Sequence, residues 1–131
     1  MYRAGIVIFH PTEDAVLMIR DSRNRMWSFP KGGWERCDSS QLKTAVREVR
    51  EETGFLYNTD YRVFLGSEIL DIQGYVFFQG IASRTDLYMT ENPQEYVARI
   101  EWVPFERLST LRMNHVSHTA SRRLHIQGWA K

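Results

Sequence analysis

Three glutamates in one short stretch, Glu48, Glu51 and Glu52, are spaced so that a helix brings all three carboxylates onto one flank. At ~100° per residue they span about 100°, beside an apolar stripe of Leu42, Ala45, Val46 and Val49. Like charges at these spacings destabilise a helix by roughly 0.2–0.5 kcal/mol per pair. They also lie toward the C-terminal end, where the macrodipole favours cations. Arg47 and Arg50 relieve part of this repulsion, and a divalent cation relieves more. Ligands made only of oxygen suit a hard ion, Mg²⁺ or Mn²⁺, which keeps its waters and bridges to phosphate oxygens. Taken alone, the helix also reads as a solvated, Glu-rich surface. The residues just upstream tip that balance. In Phe29-Pro30-Lys31-Gly32-Gly33-Trp34-Glu35, two glycines allow a ligand close to the backbone and Lys31 offers a point charge for phosphate.

Such groups work only if the elements around them hold them together. Apolar periodicity predicts a helix over residues 40–53, with Gly54 at its left-handed cap and Asp38, Ser39 or Ser40 as the N-cap. Residues 4–9 and 15–20 are apolar and β-branched, joined by His10-Pro11-Thr12-Glu13-Asp14, which predicts a hairpin with a longer loop. Residues 21–25 form a turn, and Trp27-Ser28-Phe29 is a short strand stopped by Pro30 and the glycine pair. Two strands, 61–72 and 75–82, turn at Gln73-Gly74, and 97–103 is another. Residues 105–111 and about 115–126 look helical, the second ending at Gly128. The class is α+β, a mixed sheet with helices on its faces.

Composition sets outer limits. With 131 residues and no linker-like tract or repeat, residues 1–131 are expected to form a single domain. One cysteine, Cys37, excludes an internal disulfide framework and makes a reducing, cytoplasmic setting the expectation. No apolar run approaches the ~18 residues a membrane span needs, so no membrane partner is expected. With 17 Lys+Arg against 16 Asp+Glu, the net charge of +1 excludes binding nucleic acid by bulk electrostatics. The sequence carries no signal for an oligomeric state.

The block Arg47-Glu48-Val49-Arg50-Glu51-Glu52-Thr53-Gly54-Phe55, following Gly32-Gly33, resembles the Nudix hydrolase family. That family's box runs G, five residues, E, seven residues, then R-E-U-x-E-E-x-G-U, with U apolar. The second half matches at every specified position. In the first half, counting from Gly33 puts Ser39 where the box has its glutamate. Counting from Gly32 puts Asp38 there, with one residue too many before Arg47. Arg3-Ala4-Gly5-Ile6-Val7-Ile8 and Arg99-Ile100-Glu101-Trp102-Val103-Pro104 extend the resemblance over most of the chain.

The resemblance implies an α/β/α sandwich around a mixed sheet and Mg²⁺-dependent hydrolysis of a nucleoside diphosphate linked to another group, or a related pyrophosphate. It implies metal ligation by Glu48 and Glu52, with Glu51 on the same flank and a backbone carbonyl of Gly32 or Gly33 as a further ligand. Mn²⁺ is a possible substitute. Glu51 is the leading general base, Arg47 orients the carboxylates, and Glu95, in a downstream loop, is the rival base.

For substrate, Pro30-Lys31-Gly32-Gly33-Trp34-Glu35 is similar to the branch acting on diadenosine and diphosphoinositol polyphosphates. Arg20, Arg23 and Arg25 with Lys31 form a basic cluster suited to several phosphates, or else a solvated turn. Trp27-x-Phe29-Pro30-x-Gly32-Gly33 also resembles enzymes that trim triphosphate from RNA 5′ ends, and the helix block resembles that of decapping enzymes. Trp34 or Trp27 could stack on a base, against the alternative of simple packing. Nucleotide triphosphate clean-up and a non-catalytic nucleotide-binding module complete the alternatives. His115, His118 and His125 lack the partners of a zinc set, Cys37 lacks an activating neighbour, and Met113 reads as packing.

Overall fold

The computed structural model describes residues 2–87 and 94–124. Strands β1 (Arg3–Phe9) and β2 (Ala15–Asp21) are antiparallel, but they face each other in register only at Phe9 and Val16. They are therefore not the simple hairpin the sequence suggests. Beyond that one pair they splay apart, and residues 27–33 fill the split. On one side of it β3 (Trp27–Ser28) pairs with β2. The chain then crosses over at Phe29-Pro30, and β4 (Lys31–Gly33) pairs antiparallel with β1. The glycine pair, expected to stop a strand, is itself strand.

The crossing is held from both sides. Pro30 has no N–H to leave unpaired, and its carbonyl accepts from Ile6 N–H at 3.1 Å. Phe29 N–H donates to the hydroxyl of Ser117, a fully buried residue, at 3.0 Å.

Helix α1 (Gln41–Thr53) follows, then β5 (Tyr61–Ile72) and β6 (Tyr75–Ala82), joined where Gln73 and Gly74 both take positive φ, the backbone of a tight hairpin turn. β7 (Val97–Pro104) pairs antiparallel along the whole length of β2, and β6 pairs parallel with β1. Among the described residues the seven strands make one mixed sheet in the order β3-β2-β1-β6-β5, with β4 and β7 branching from β1 and β2.

The expected helix over 105–111 shrinks to a single 3-10 turn, Phe105–Arg107. The N–H groups of Thr110 and Leu111 and the Thr110 hydroxyl all converge on the Arg107 carbonyl, which leaves no carbonyl ladder to propagate. Helix α2 (His115–Arg123) is capped by the Asn114 side chain; the positions from His125 to Gly128 lie outside the described residues.

The sheet is covered on both faces. Val7, Val16, Met18 and Phe77 pack with Ala120 and Leu124 of α2 on one side. Ile6, Ile8, Leu17 and Phe78 pack with Ala45 and Val49 of α1 on the other. β1 is consequently buried on both faces from Ala4 to Ile8, as its unbroken apolar run requires. This is the α/β/α sandwich with a central mixed sheet.

Candidate active site

Helix α1 is fixed at both ends before any tertiary contact is counted. The Ser40 hydroxyl accepts from Lys43 N–H at 3.1 Å, and Gly54, at φ 79°, donates its N–H to the Arg50 carbonyl at 2.9 Å. Burial of Ala45 and Val49 against the sheet sets the helix rotation, and that rotation carries Glu48 and Glu52 inward, to 8% and 3% exposure. Their carboxylates meet β4. A Cβ on Gly32 would overlap the Glu48 carboxylate, so only glycine lets the two approach. Glu52 Oε1 accepts from Lys31 N–H at 3.1 Å.

The strand register explains this contact. Pairing of Ile6 with Pro30 and of Tyr2 with Trp34 leaves residues 31 and 33 in non-hydrogen-bonded positions, so their backbone polar groups turn away from β1 toward α1. The Gly33 carbonyl, facing this way, accepts from Arg47 Nη2 at 2.7 Å.

Arg47 organises the acids around it. Its guanidinium donates to both Asp38 oxygens, at 3.1 and 2.9 Å, to Glu48 Oε2 at 3.2 Å and to Glu51 Oε1 at 3.1 Å. Glu35 lies 3.3 Å away on the same nitrogen that serves Glu48 and Glu51. Asp38 is the counterion here, with Ser39, the other possible position, exposed. Asp38 Oδ2 also accepts from Glu35 N–H at 2.9 Å and the Thr44 hydroxyl at 2.8 Å, and its carbonyl accepts from Trp34 Nε1 at 3.1 Å.

Electrostatics divide the acids into two kinds. The Arg47 hydrogen bonds hold the Asp38 carboxyl well below the usual range despite its burial, and Asp38 in turn raises Arg47. Burial pushes Glu48 up to about 7, with Arg47 opposing, and Glu52 up to about 8, with the Tyr96 hydroxyl and Lys31 N–H opposing. Two buried carboxyls one turn apart, each raised by desolvation, are costly to ionise at neutral pH, a cost that a bound cation would remove.

The donor set fits Mg²⁺. Among the described residues no three carboxylate, imidazole or thiol groups form a closed cage. One or two carboxylates completed by water and substrate phosphates is the usual mode for this ion.

Glu48 and Glu52 form one wall of a cleft of about 310 Å³, with Lys31, Gly32 and Gly33 of β4 beside them. Ile19, Asp21, Arg23, Asn24, Met26 and Ser28 supply the β2–β3 side, and Tyr96 and Asn114 the remainder. Of the four basic residues expected to form a cluster, only Arg23 presents its charged group here. It is tied to Asp21 by two bonds, at 3.0 and 2.6 Å.

Arg20 does not line the cleft: it follows Ile19, which does, so strand alternation turns it to the other face just before the register shifts between Arg20 and Asp21. Arg25 and Trp34 are also absent from the cleft wall, Trp34 packing edge-on against Tyr2. Lys31 takes part through its backbone N–H, while its ammonium lies 5.0 Å from the centre of the Tyr75 ring.

Glu51 stands just outside the cleft wall, its side chain 25% exposed and held by Arg47. Glu95 is exposed in the turn before β7; its neighbour Gln94 donates N–H to the Glu51 carbonyl at 3.4 Å. Trp27 is core, Met113 packs against the same core, and Cys37 is exposed.

Tyr96, which bonds Glu52, escaped the sequence reading, and its sequence signal is no more than adjacency to Glu95. Asp38 is the position that counting from Gly32 offered for the box's glutamate, and the structure shows it bracing Arg47.

The chain is similar to several known proteins. The mRNA-decapping enzyme subunit 2 of Saccharomyces cerevisiae is 29% identical over 107 residues, covering 80% of this chain and 11% of that protein. The chain thus spans about a ninth of the length of the yeast protein it matches. Nudix hydrolase 17, mitochondrial, of Arabidopsis thaliana is 31% identical over 96 residues, 70% of this chain and 50% of that one. The C. elegans Ap4A hydrolase binary complex shares the fold, with a TM-score of 0.76 at 14% identity over 99% of this chain and 98% of that one. The NUDIX domain model matches residues 1–124, nearly the whole length, and on that match the chain belongs to the NUDIX family.

Proposed function

We propose that this chain is a divalent-metal-dependent pyrophosphohydrolase that cleaves a phosphoanhydride bond in a nucleotide-linked polyphosphate, with diadenosine polyphosphates as the leading substrates. The observation that carries this reading is the pair of buried carboxylates, Glu48 and Glu52, opposed to Gly32 at a cleft whose far wall presents Arg23. The family generally uses divalent cations, commonly Mg²⁺, and we assign Glu48 and Glu52 as its carboxylates here, with the Gly33 carbonyl, which faces Arg47 of the same helix, as the backbone oxygen. When bound, the metal neutralises phosphate charge and lowers the pKa of water. Residues 1–131 act as one catalytic domain in this reading.

The chain's own residues supply the rest. Arg47 fixes Glu48 and Glu51 in place, and Asp38 fixes Arg47. Glu51, more exposed than Glu48 and Glu52 and with one oxygen held by Arg47, takes the proton from the attacking water. The water oxygen bonds to phosphorus as the bridging P–O bond breaks, and the leaving phosphate departs with the bridging oxygen. Arg23 offers its charge to the substrate's phosphates from the far wall.

Dispersal of Arg20, Arg25 and the Lys31 ammonium away from the cleft argues for a short phosphate bridge over a densely phosphorylated inositol. A second reading, hydrolysis at RNA 5′ ends, is favoured by the 29% identity to a decapping enzyme.

The test is product release from diadenosine polyphosphates, diphosphoinositol polyphosphates, capped and 5′-triphosphate RNA and nucleoside triphosphates, with and without Mg²⁺. Mg²⁺-dependent cleavage that is fastest on diadenosine polyphosphates is expected. Binding without turnover on the whole panel sinks the hydrolase reading, and preference for RNA moves the assignment to the second one. Glu51→Gln should lower kcat by roughly 100-fold or more, and Glu95→Gln by much less; the reverse order transfers the base to Glu95.

A further inference from the structure

The two buried carboxylates of the cleft are braced differently. Glu48 is held by a cation, Arg47, at 3.2 Å. Among the described residues, the hydrogen bonds to Glu52 come from neutral donors, Lys31 N–H on Oε1 at 3.1 Å and the Tyr96 hydroxyl on Oε2, while the Lys31 and Arg23 charges act on it only through space. Each Glu52 oxygen thus spends one lone pair on a fixed donor and keeps one for the cleft, and rotation of the carboxylate would break both bonds.

Tyr96 is contacted on its ring and its backbone. The Arg23 guanidinium, on a side chain that is 70% exposed, lies over its ring, 4.6 Å from the centre, and makes two bonds to Asp21. Ser22 N–H donates to the Tyr96 carbonyl at 2.7 Å, tying the β2–β3 turn to the start of β7.

We propose that Tyr96, contacted by Arg23, is a positioning residue that orients the Glu52 carboxylate for the divalent cation. A hydroxyl is suited to this because it fixes the geometry without offsetting the charge. A second arginine here would compete with the cation for Glu52, whereas a phenol leaves it a full negative partner. The aromatic ring also gives Arg23 a surface to stack on, which links the phosphate-facing wall of the cleft to the metal-facing one. Outer-shell partners of this kind typically carry 10–100-fold in metal affinity.

The inference rests on the reading of Glu52 as a metal carboxylate, so the test measures metal binding apart from turnover. Mn²⁺ binding to the wild-type chain, Tyr96→Phe and Arg23→Gln is followed by electron paramagnetic resonance. The unfolding temperature without metal is recorded alongside, and kcat is measured against Mg²⁺ concentration. Tyr96→Phe is expected to lose about 10-fold in Mn²⁺ affinity, to unfold within a few degrees of wild type without metal, and to regain most of its kcat at saturating Mg²⁺. Arg23→Gln should show a smaller loss of affinity.

Wild-type affinity in Tyr96→Phe, or a lowered kcat that no Mg²⁺ concentration restores, overturns the positioning role alone. Failure of the wild-type chain to bind Mn²⁺ overturns the metal reading and this inference with it.

Discussion

Arg47 and Asp38 make the tightest bond network in the site, with a side-chain exposure of only 11% and 4%. Asp38→Ala leaves the guanidinium with the Gly33 carbonyl, Glu35, Glu48 and Glu51 but without its most buried counterion, and should cost roughly 2–3 kcal/mol in urea unfolding together with a loss of activity. Ser39→Ala should cost far less, although Ser39 occupies the box position counted from Gly33. Gly32→Ala drives a Cβ into the Glu48 carboxylate, and is expected to lower Mn²⁺ affinity by about 10-fold or more while the far-ultraviolet dichroism stays unchanged. At this scale the acids Glu48, Glu51 and Glu52 were legible from spacing because a helix makes position periodic. The partner Tyr96 was not, and Asp38 was legible only as one of two alternatives beside Ser39, because a hydrogen bond across a loop has no period.

At the scale of elements, the decisive feature is the split between β1 and β2. The alternation of apolar residues predicts the two strands well, yet it is silent about where they part. Only packing reveals that residues 27–33 enter the gap and bring β4 under α1. The crossing depends on α2 through the buried Ser117 hydroxyl that accepts from Phe29 N–H. Ser117→Ala leaves that N–H buried and unpaired, and should lower stability by about 1–3 kcal/mol by chemical denaturation. Because β4 carries Lys31, Gly32 and Gly33, the same variant should also weaken Mn²⁺ binding modestly, although α2 supplies no acid to the cleft. Helix α1 was the most legible element, since its stripe, cap and stop are local: Ser40 and Gly54 close the two ends where the sequence allows. The short turn at Phe105–Arg107 was over-read as a helix because apolar spacing cannot register side-chain competition for a carbonyl.

For the whole molecule, stability and metal binding are linked through protons. Glu48 and Glu52 carry values of about 7 and about 8 in the fold against an ordinary 4.5, so the metal-free fold binds more protons than the unfolded chain between those limits. Their contribution is fully present below about pH 4.5 and is lost as pH rises through about 7 to 8. Asp38 works in the opposite sense: its value is lowered from 3.8, so its contribution is present above that pH and is lost as pH falls toward its folded value. The metal-free unfolding temperature is therefore expected to drop between about pH 6 and about pH 8.5, and the rise produced by Mg²⁺ to be larger at the higher pH. Glu52→Gln should flatten both trends in calorimetry; an unchanged slope would show that the buried carboxyls do not couple to the metal. No helix among the described residues is long and apolar enough to cross a membrane, in line with the short apolar runs of the sequence. Local spacing was enough to find the helix with its three acids, the glycine pair ahead of it, every strand but β4, and the family. The tertiary structure alone decided which bases face the cleft, sending Arg20 and Arg25 away and keeping Arg23. It also decided that Asp38 and Tyr96 brace the acids. The physical reason is that strand parity and chain crossing, set by how the two faces of the sheet pack, fix the direction of each side chain, and no count along the chain contains them.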